Sequence, residues 1–326
     1  MTHHVTLLPS QHQFLVESTD TLLDAALRSG IAVDYGCSNG SCGACKVKLE
    51  SGEIKRVRHH DYALREAQRS GGYFLLCAYT AACDLVLETV EAESSADIPW
   101  QEITARLKKI EELADDIALL RVQTPRTDRL RFLAGQQIEL ELGNGIARTY
   151  PIASCPCDDR NIEFHIRRVA DEPFSEHAFS GLRKGDAITL RGPSGRFCLD
   201  HESSRPLVFI AFDTGFAPVK SLIEEAINID FDQSIHLYWL AADSADRYLH
   251  NLARSWSDAF GNIVYRPLTV SHTSREEVER ALSTVKPDFR ESDVYIAGPE
   301  PAIKLAEQFC LRHGATTERL LTQATP

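Results

Sequence analysis

The stretch Tyr35-Gly36-Cys37-Ser38-Asn39-Gly40-Ser41-Cys42-Gly43-Ala44-Cys45 constrains this chain more than any other. Three cysteines stand at C-x4-C-x2-C spacing, and a fourth, Cys77, follows further along. That spacing matches the thiolate set of a [2Fe–2S] cluster, in which each iron takes two thiolates and the bridging sulfides carry negative charge. A loop wraps such charge only if its backbone N–H groups turn inward. Gly36, Gly40 and Gly43 supply the φ freedom and close approach for that. A structural zinc site pairs two short C-x2-C units instead. A disulfide framework suits short secreted chains, not 326 residues with an odd nine cysteines. The other five, Cys83, Cys155, Cys157, Cys198 and Cys310, read as reduced buried thiols.

The length suggests two or three domains, and 43% hydrophobic residues suffice for a core in each. A net charge of −12 argues against nucleic acid or an anionic membrane as partner. It favours a basic patch on a partner protein. No apolar run reaches the roughly 18 residues that a membrane span needs, so no membrane insertion is expected. The start, Met1-Thr2-His3-His4, is polar and runs straight into a strand-like alternation, unlike a secretory signal. A cytoplasmic location is the expectation.

Val5-Thr6-Leu7-Leu8 and Gln13-Phe14-Leu15-Val16 predict two strands around a turn at Pro9-Ser10. Thr21, with Asp24 three residues on, resembles a capping box for a helix that stops at Gly30. After the cysteine loop, Lys46-Val47-Lys48-Leu49-Glu50 alternates as a half-buried strand, and 85–90 is a last strand. Residues 91–99 are rich in Glu, Ser and Ala and read as a linker. Short strands at 117–123, 137–142, 162–169 and 187–190 predict a small antiparallel barrel. Beyond Pro206, apolar strands at 207–211, 235–240 and 294–297 alternate with helical patterns. That predicts a parallel α/β sheet. The expected units are residues 1–92, a linker 93–100, 101–203 and 204–326.

The β-β-α-β layout with four spaced cysteines resembles the ferredoxin family over about residues 1–91. Ferredoxin unit, β-barrel and α/β unit, in that order, resemble the ferredoxin–NADP reductase superfamily. More narrowly, they resemble its iron–sulfur flavoenzymes, including reductases of 3,6-dideoxyhexose biosynthesis and oxygenase reductase components. Carrying stretches include Asp24-Ala25-Ala26-Leu27, Leu133-Ala134-Gly135-Gln136 and Thr214 to Ser221. The resemblance implies a β-grasp ferredoxin domain, an antiparallel FAD barrel and a parallel nucleotide-binding α/β domain. It implies Cys37, Cys42, Cys45 and Cys77 as the cluster ligands.

In that superfamily an Arg-x-Tyr-Ser motif holds FAD, and here the matching residues are Arg148, Thr149, Tyr150 and Pro151. The resemblance places the arginine on the pyrophosphate and the tyrosine on the flavin ring. Pro151 has no hydroxyl to offer near flavin N5. His165, Ile166 and Arg167 resemble the flavin-lining strand. The family's Gly-x-x-Ser anion turn reads Glu172-Pro173-Phe174-Ser175, so Phe174 and Ser175 match while Glu172 brings a negative charge. The nucleotide motif Gly-Gly-Thr-Gly-x-x-Pro reads Phe212 to Pro218, keeping Thr214, Gly215 and Pro218. Phe212 and Asp213 put bulk and charge where a pyrophosphate would approach. The family's Cys-Gly-Pro becomes Ala297-Gly298-Pro299, and the last residues offer no aromatic to cover a flavin. Asp243 and Asp246 would repel a 2′-phosphate, which favours NADH over NADPH.

The resemblance implies an oxidoreductase that passes electrons from NADH through FAD and a [2Fe–2S] cluster to a partner oxygenase or dehydratase. The eroded nucleotide motif leaves an alternative: an electron carrier or accessory subunit that keeps the cluster but has lost efficient NADH oxidation.

Overall fold

A computed structural model describes the chain except residues 1, 93, 144, 243–246, 272, 273 and 286. Asp243 and Asp246 therefore lie outside the described residues. The first unit contains β1 (Thr2–Leu8), β2 (Gln13–Glu17), α1 (Leu22–Arg28), β3 (Lys46–Ser51), β4 (Ile54–Arg56), α2 (Glu66–Ser70), β5 (Tyr73–Leu75), β6 (Tyr79–Ala81) and β7 (Leu85–Glu88). Its main sheet has the order β2-β1-β7-β3-β5, and β4 pairs with β6 alone. Alternation along β1 and β2 turns Val5, Leu7, Phe14 and Val16 onto Leu22, Leu23 and Ala26 of α1. The Thr21 hydroxyl caps α1, accepting from the Asp24 amide at 3.1 Å. The expected capping box is only half made. The Asp24 carboxylate turns away to Arg58 at 3.0 Å and to Arg129 of the second unit at 3.7 Å.

The stretch expected as a linker is anchored to its surroundings. Glu91 bridges Val33, its carboxylate meets His12 at 2.7 Å, and Ile98 is buried. The second unit comprises β8 (Gln101–Ala114), β9 (Ile117–Gln123), β10 (Gln137–Leu142), β11 (Ile146–Pro151), β12 (Asn161–Arg167), α3 (Pro173–Ser180) and β13 (Ala187–Ser194). These strands form one antiparallel sheet, β11-β10-β13-β8-β9-β12. Ile103, Ala105 and Leu107 of β8 face the core, and two bulges bend the strand further on. Helix α3 packs against both edge strands, β11 and β12, and so closes the half-barrel.

The third unit alternates β14 (Leu207–Phe212), α4 (Phe216–Asn228), β15 (Ile235–Ala241), α5 (His250–Ala259), β16 (Ile263–Thr269), α6 (Arg275–Ser283), β17 (Asp293–Gly298), α7 (Glu300–Arg312) and β18 (Leu320–Ala324). Its sheet is wholly parallel, with order β16-β15-β14-β17-β18. Every residue of β14 is buried, because both faces are covered. Val208, Ile210 and Phe212 enter one core, and Leu207, Phe209 and Ala211 the other. Strand order reverses between β14 and β17, so the ligand crevice of such a sheet lies at their C-terminal ends.

The units are joined by specific polar contacts. The Ser38 amide donates to the Arg126 carbonyl at 2.9 Å, and the Arg129 amide to the Gly36 carbonyl at 2.9 Å. The Tyr35 hydroxyl donates to the Leu130 carbonyl at 3.3 Å, and Arg131 pairs with Asp34 at 2.5 Å. Beneath this strip the buried Arg129 pairs with the fully buried Asp159 and lies over the Tyr35 ring. Burial pushes the Asp159 carboxyl up to about 6, although Arg129 pulls it down. The second and third units meet where Lys220 Nζ donates to the Ala153 carbonyl at 3.0 Å. The Ser221 hydroxyl donates to the Ser154 carbonyl nearby at 2.7 Å.

Removing one member of a buried ion pair leaves a buried charge without its partner, at a cost of about 3–5 kcal/mol. Arg129→Met is expected to lose that much in urea unfolding, and adding Asp159→Leu should recover most of it. A single variant as stable as the parent would show that the pair does not hold this seam.

Candidate functional site

The cysteine loop follows α1 and is pressed against residues 60–62. Gly43 sits at φ +75°, and a Cβ there would come within 2.3 Å of the Tyr62 ring, so only glycine fits. The Cys42 amide points at Cys37 Sγ at 3.5 Å, and the Ala44 amide at Cys42 Sγ at 3.4 Å. The thiols fall into two hydrogen-bonded pairs, Cys37 with Cys42 and Cys45 with Cys77. A two-iron cluster asks for that arrangement, two thiolates per iron with N–H groups aimed at sulfur. Burial raises the Cys37 thiol, but the amide and thiol of Cys42 and the donors of Ser41 outweigh it and hold it at about 7. Cys37, Cys45 and Cys77 are buried, and Cys42 is the exposed edge of the set. Among the described residues no three His, Cys, Asp or Glu side chains converge on a single-ion site. The residues present fit the cluster.

The residues expected at a flavin divide between two places. Arg148 and Tyr150 on β11 meet Phe174 and Ser175 on α3, with the Tyr150 and Phe174 rings 5.1 Å apart. Glu172 stands at the centre of this patch. Its carboxylate accepts from the amides of Phe174 at 3.1 Å and Ser175 at 2.7 Å, and pairs with Arg148 at 2.5 Å. Those donors, a guanidinium and two helix N-terminal amides, form the set that binds a pyrophosphate. The Glu172 carboxylate thus occupies donors of the kind that bind a phosphate anion. The donor set fits FAD once Glu172 moves away. The Ser175 hydroxyl is buried and bonded to Val169 and Glu172 main chain, while its amide is one of these donors. Thr149 is half-buried and Pro151 buried on the same strand.

His165 and Arg167 do not join that patch. They sit on β12 and face the third unit. His165 Nδ1 lies 2.9 Å from the Tyr248 hydroxyl, and burial together with Lys220 holds the imidazole neutral. Arg167 pairs with Asp116 at 2.5 Å and reaches Asp213 at 3.7 Å. Ile166, between them, is a core residue.

At the crevice of the third unit, Thr214 and Gly215 form a tight turn and Pro218 lies in the first turn of α4. Gly298 ends β17 and Pro299 caps α7 across from them. Two expectations change here. Phe212 does not fill the crevice; as the next alternate residue after Val208 and Ile210, it enters the core. Asp213 does not present an unbalanced charge, because Arg167 stands opposite. It keeps the glycine-like conformation, with φ +50°. Phe216 and Trp239, stacked at 3.9 Å with Tyr248 edge-on to Trp239, belong to the core on the other face of the sheet. The Trp239 indole N–H donates to the Asp213 carbonyl at 3.1 Å.

Of the remaining cysteines, Cys310 is a free buried thiol as expected. Cys83 and Cys198 are only half-buried. Cys155 and Cys157 are not reduced: they form a disulfide. Pattern reading also missed Arg129, Asp159 and Arg131, which hold the cluster loop to the second unit.

A docked cluster loop, a flavin half-barrel and a doubly wound sheet define an iron–sulfur flavoprotein reductase, and the chain belongs to that family. Residues 5–82 match the 2Fe-2S iron-sulfur cluster binding domain, and 104–198 match the oxidoreductase FAD-binding domain. The CDP-6-deoxy-L-threo-D-glycero-4-hexulose-3-dehydrase reductase of Yersinia pestis is 33% identical, over 99% of this chain and 98% of its own. Reductase component 1 of terephthalate 1,2-dioxygenase from Comamonas sp is 30% identical, over 81% of this chain and 78% of its own. The solved ferredoxin reductase in carbazole 1,9a-dioxygenase shares the fold at a TM-score of 0.62. It covers 99% of this chain and 98% of its own, at 21% identity. The chain is an oxidoreductase of the [2Fe–2S] and FAD type.

Glu172 must give up its donors before an anion can take them. A like charge within about 4 Å at an effective dielectric near 20 costs about 4 kcal/mol, and each 1.4 kcal/mol is tenfold. Glu172→Gly is expected to tighten FAD binding at least about tenfold by fluorescence quenching. Equal or weaker binding would contradict this role.

Proposed function

We propose that the chain draws electrons from NADH, passes them through FAD to the [2Fe–2S] cluster, and delivers them to a partner oxygenase or dehydratase. One observation carries this most: the cluster loop is hydrogen-bonded to the flavin unit on both sides of Cys37. Both cofactor positions therefore belong to one packed body. When bound, FAD accepts a two-electron hydride equivalent and the cluster passes electrons on singly. In this proposal Cys37, Cys42, Cys45 and Cys77 hold the irons. Arg148 and the amides of Phe174 and Ser175 hold the pyrophosphate, and Tyr150 packs beside the flavin. Thr214, Gly215, Pro218, Gly298 and Pro299 border the nicotinamide crevice. The units divide at 1–92, 101–203 and 204–326, joined by 93–100. No helix among the described residues is long and apolar enough to cross a membrane, which is compatible with work in the cytoplasm.

A second reading, a carrier or accessory subunit with little NADH oxidation, is favoured by the charge at the crevice. Asp213 keeps a carboxylate at the turn, paired across to Arg167. One substitution separates the two. Asp213→Gly removes a charge and suits φ +50°, where a non-glycine residue costs about 1–2 kcal/mol. Phe212→Gly is unsuitable, because it would empty a core position at about 3–5 kcal/mol. The Asp213→Gly variant is expected to lower the NADH concentration for half-maximal anaerobic flavin bleaching at least about tenfold. Slower bleaching in the variant, with a parent already fast at micromolar NADH, would overturn this view of the crevice.

A further inference from the structure

The junction of the three units carries a pair of cysteines that the electron path does not use. Cys155 and Cys157 are joined across Pro156. Their short turn packs against α1 on one side and α4 on the other. At the same place Gly30, just beyond α1, lies so close to Ile229, just beyond α4, that a Cβ would come within 2.2 Å of its side chain. A disulfide stabilises chiefly by closing a long loop in the unfolded chain, and this one closes over a single residue. It contributes little as a staple, so its consequence is chemical.

The polar atoms nearest the sulfurs are N–H donors; the one carboxylate close by, Glu224, accepts from the Cys155 amide and is paired with Lys220. Asn228 Nδ2 lies 3.0 Å from Cys155 Sγ and 3.2 Å from Cys157 Sγ. The Cys157 amide lies 3.1 Å from Cys155 Sγ. Cys155 thus faces two N–H donors. Disulfide sulfur is a weak acceptor, whereas a thiolate gains a charge-assisted hydrogen bond from each. Cys155 is buried and Cys157 half-buried, so an incoming group reaches Cys157 first. Access and stabilisation therefore assign different roles to the two sulfurs, one attacked and one leaving.

We propose that Cys155-Pro156-Cys157 is a thiol–disulfide exchange site for small thiols. A small thiolate attacks Cys157 Sγ and forms a mixed disulfide there. The bond between the two cysteines breaks, and Cys155 leaves as a thiolate under the Asn228 and Cys157 N–H groups. A second small thiolate attacks the sulfur of the bound small thiol and releases Cys157. The small thiols are oxidised to their own disulfide, and two electrons and two protons reduce the protein pair to two thiols. The site goes beyond the electron path proposed above and does not depend on it.

The test uses the holoprotein with cluster and flavin, equilibrated anaerobically in reduced and oxidised glutathione at stepped ratios. Acid quenching, alkylation and peptide mass spectrometry then read each cysteine. Cys155 and Cys157 are expected to pass together from an internal disulfide to two alkylated thiols, with the cluster absorbance unchanged. Cys310, a buried thiol pushed up to about 12, serves as the unreactive control. Asn228→Ala should slow the first exchange about three- to tenfold, because the leaving sulfur loses a donor. Two free thiols at every ratio, a disulfide that persists at every ratio, or an unchanged rate in Asn228→Ala would overturn the proposal.

Discussion

The contact that the rest of this molecule depends on is the strip where residues 34–38 lie against 126–131. Two backbone hydrogen bonds flank Cys37, one through Gly36 and one through Ser38. Backbone bonds on either side of a ligand fix its position more firmly than side-chain contacts, since no rotamer can release them. Arg131 and Asp34 close one end of the strip, and Arg129 reaches Asp24 while anchored on Asp159. An electron carrier needs its donor and acceptor sites in a fixed relation, and this strip supplies it between the cluster loop and the flavin unit.

Polar contacts within the chain occupy key groups at both places where the sequence reading puts ligands. At the flavin patch, Glu172 satisfies the anion-binding donors. At the crevice of the third unit, Asp213 pairs with Arg167. In each case the contact is local and polar, and the scaffold around it keeps the family's shape. Fold and site change independently here, since packing fixes the first and a few side chains decide the second.

Much of this was legible in the sequence, for physical reasons. Cluster chemistry restricts both residue type and spacing, so the cysteine loop could be read directly. The buried run of β14 and the alternation of β3 followed from faces that are both covered or half covered, whereas the long strand β8 was not read as one. The direction of Phe212 was also readable, since it shares parity with Val208 and Ile210, but motif comparison drew it into the crevice. Residues 52–82 were opaque because their helix and strands are too short to show a period. The Arg129–Asp159 pair, Glu172 folding back on its own helix, and the Cys155–Cys157 bond are decided by tertiary contacts. The types of these residues carry no mark of their partners.

The central claim is that the cluster unit is already docked on the flavin unit when electrons move between them. The direct measurement is the rate of internal cluster reduction in the FAD-loaded protein, followed anaerobically by stopped flow as sucrose raises the viscosity. A docked pair predicts a first-order rate that does not change with viscosity or protein concentration. A rate that falls in proportion to viscosity would mean that the cluster unit must swing into place, and would contradict the account.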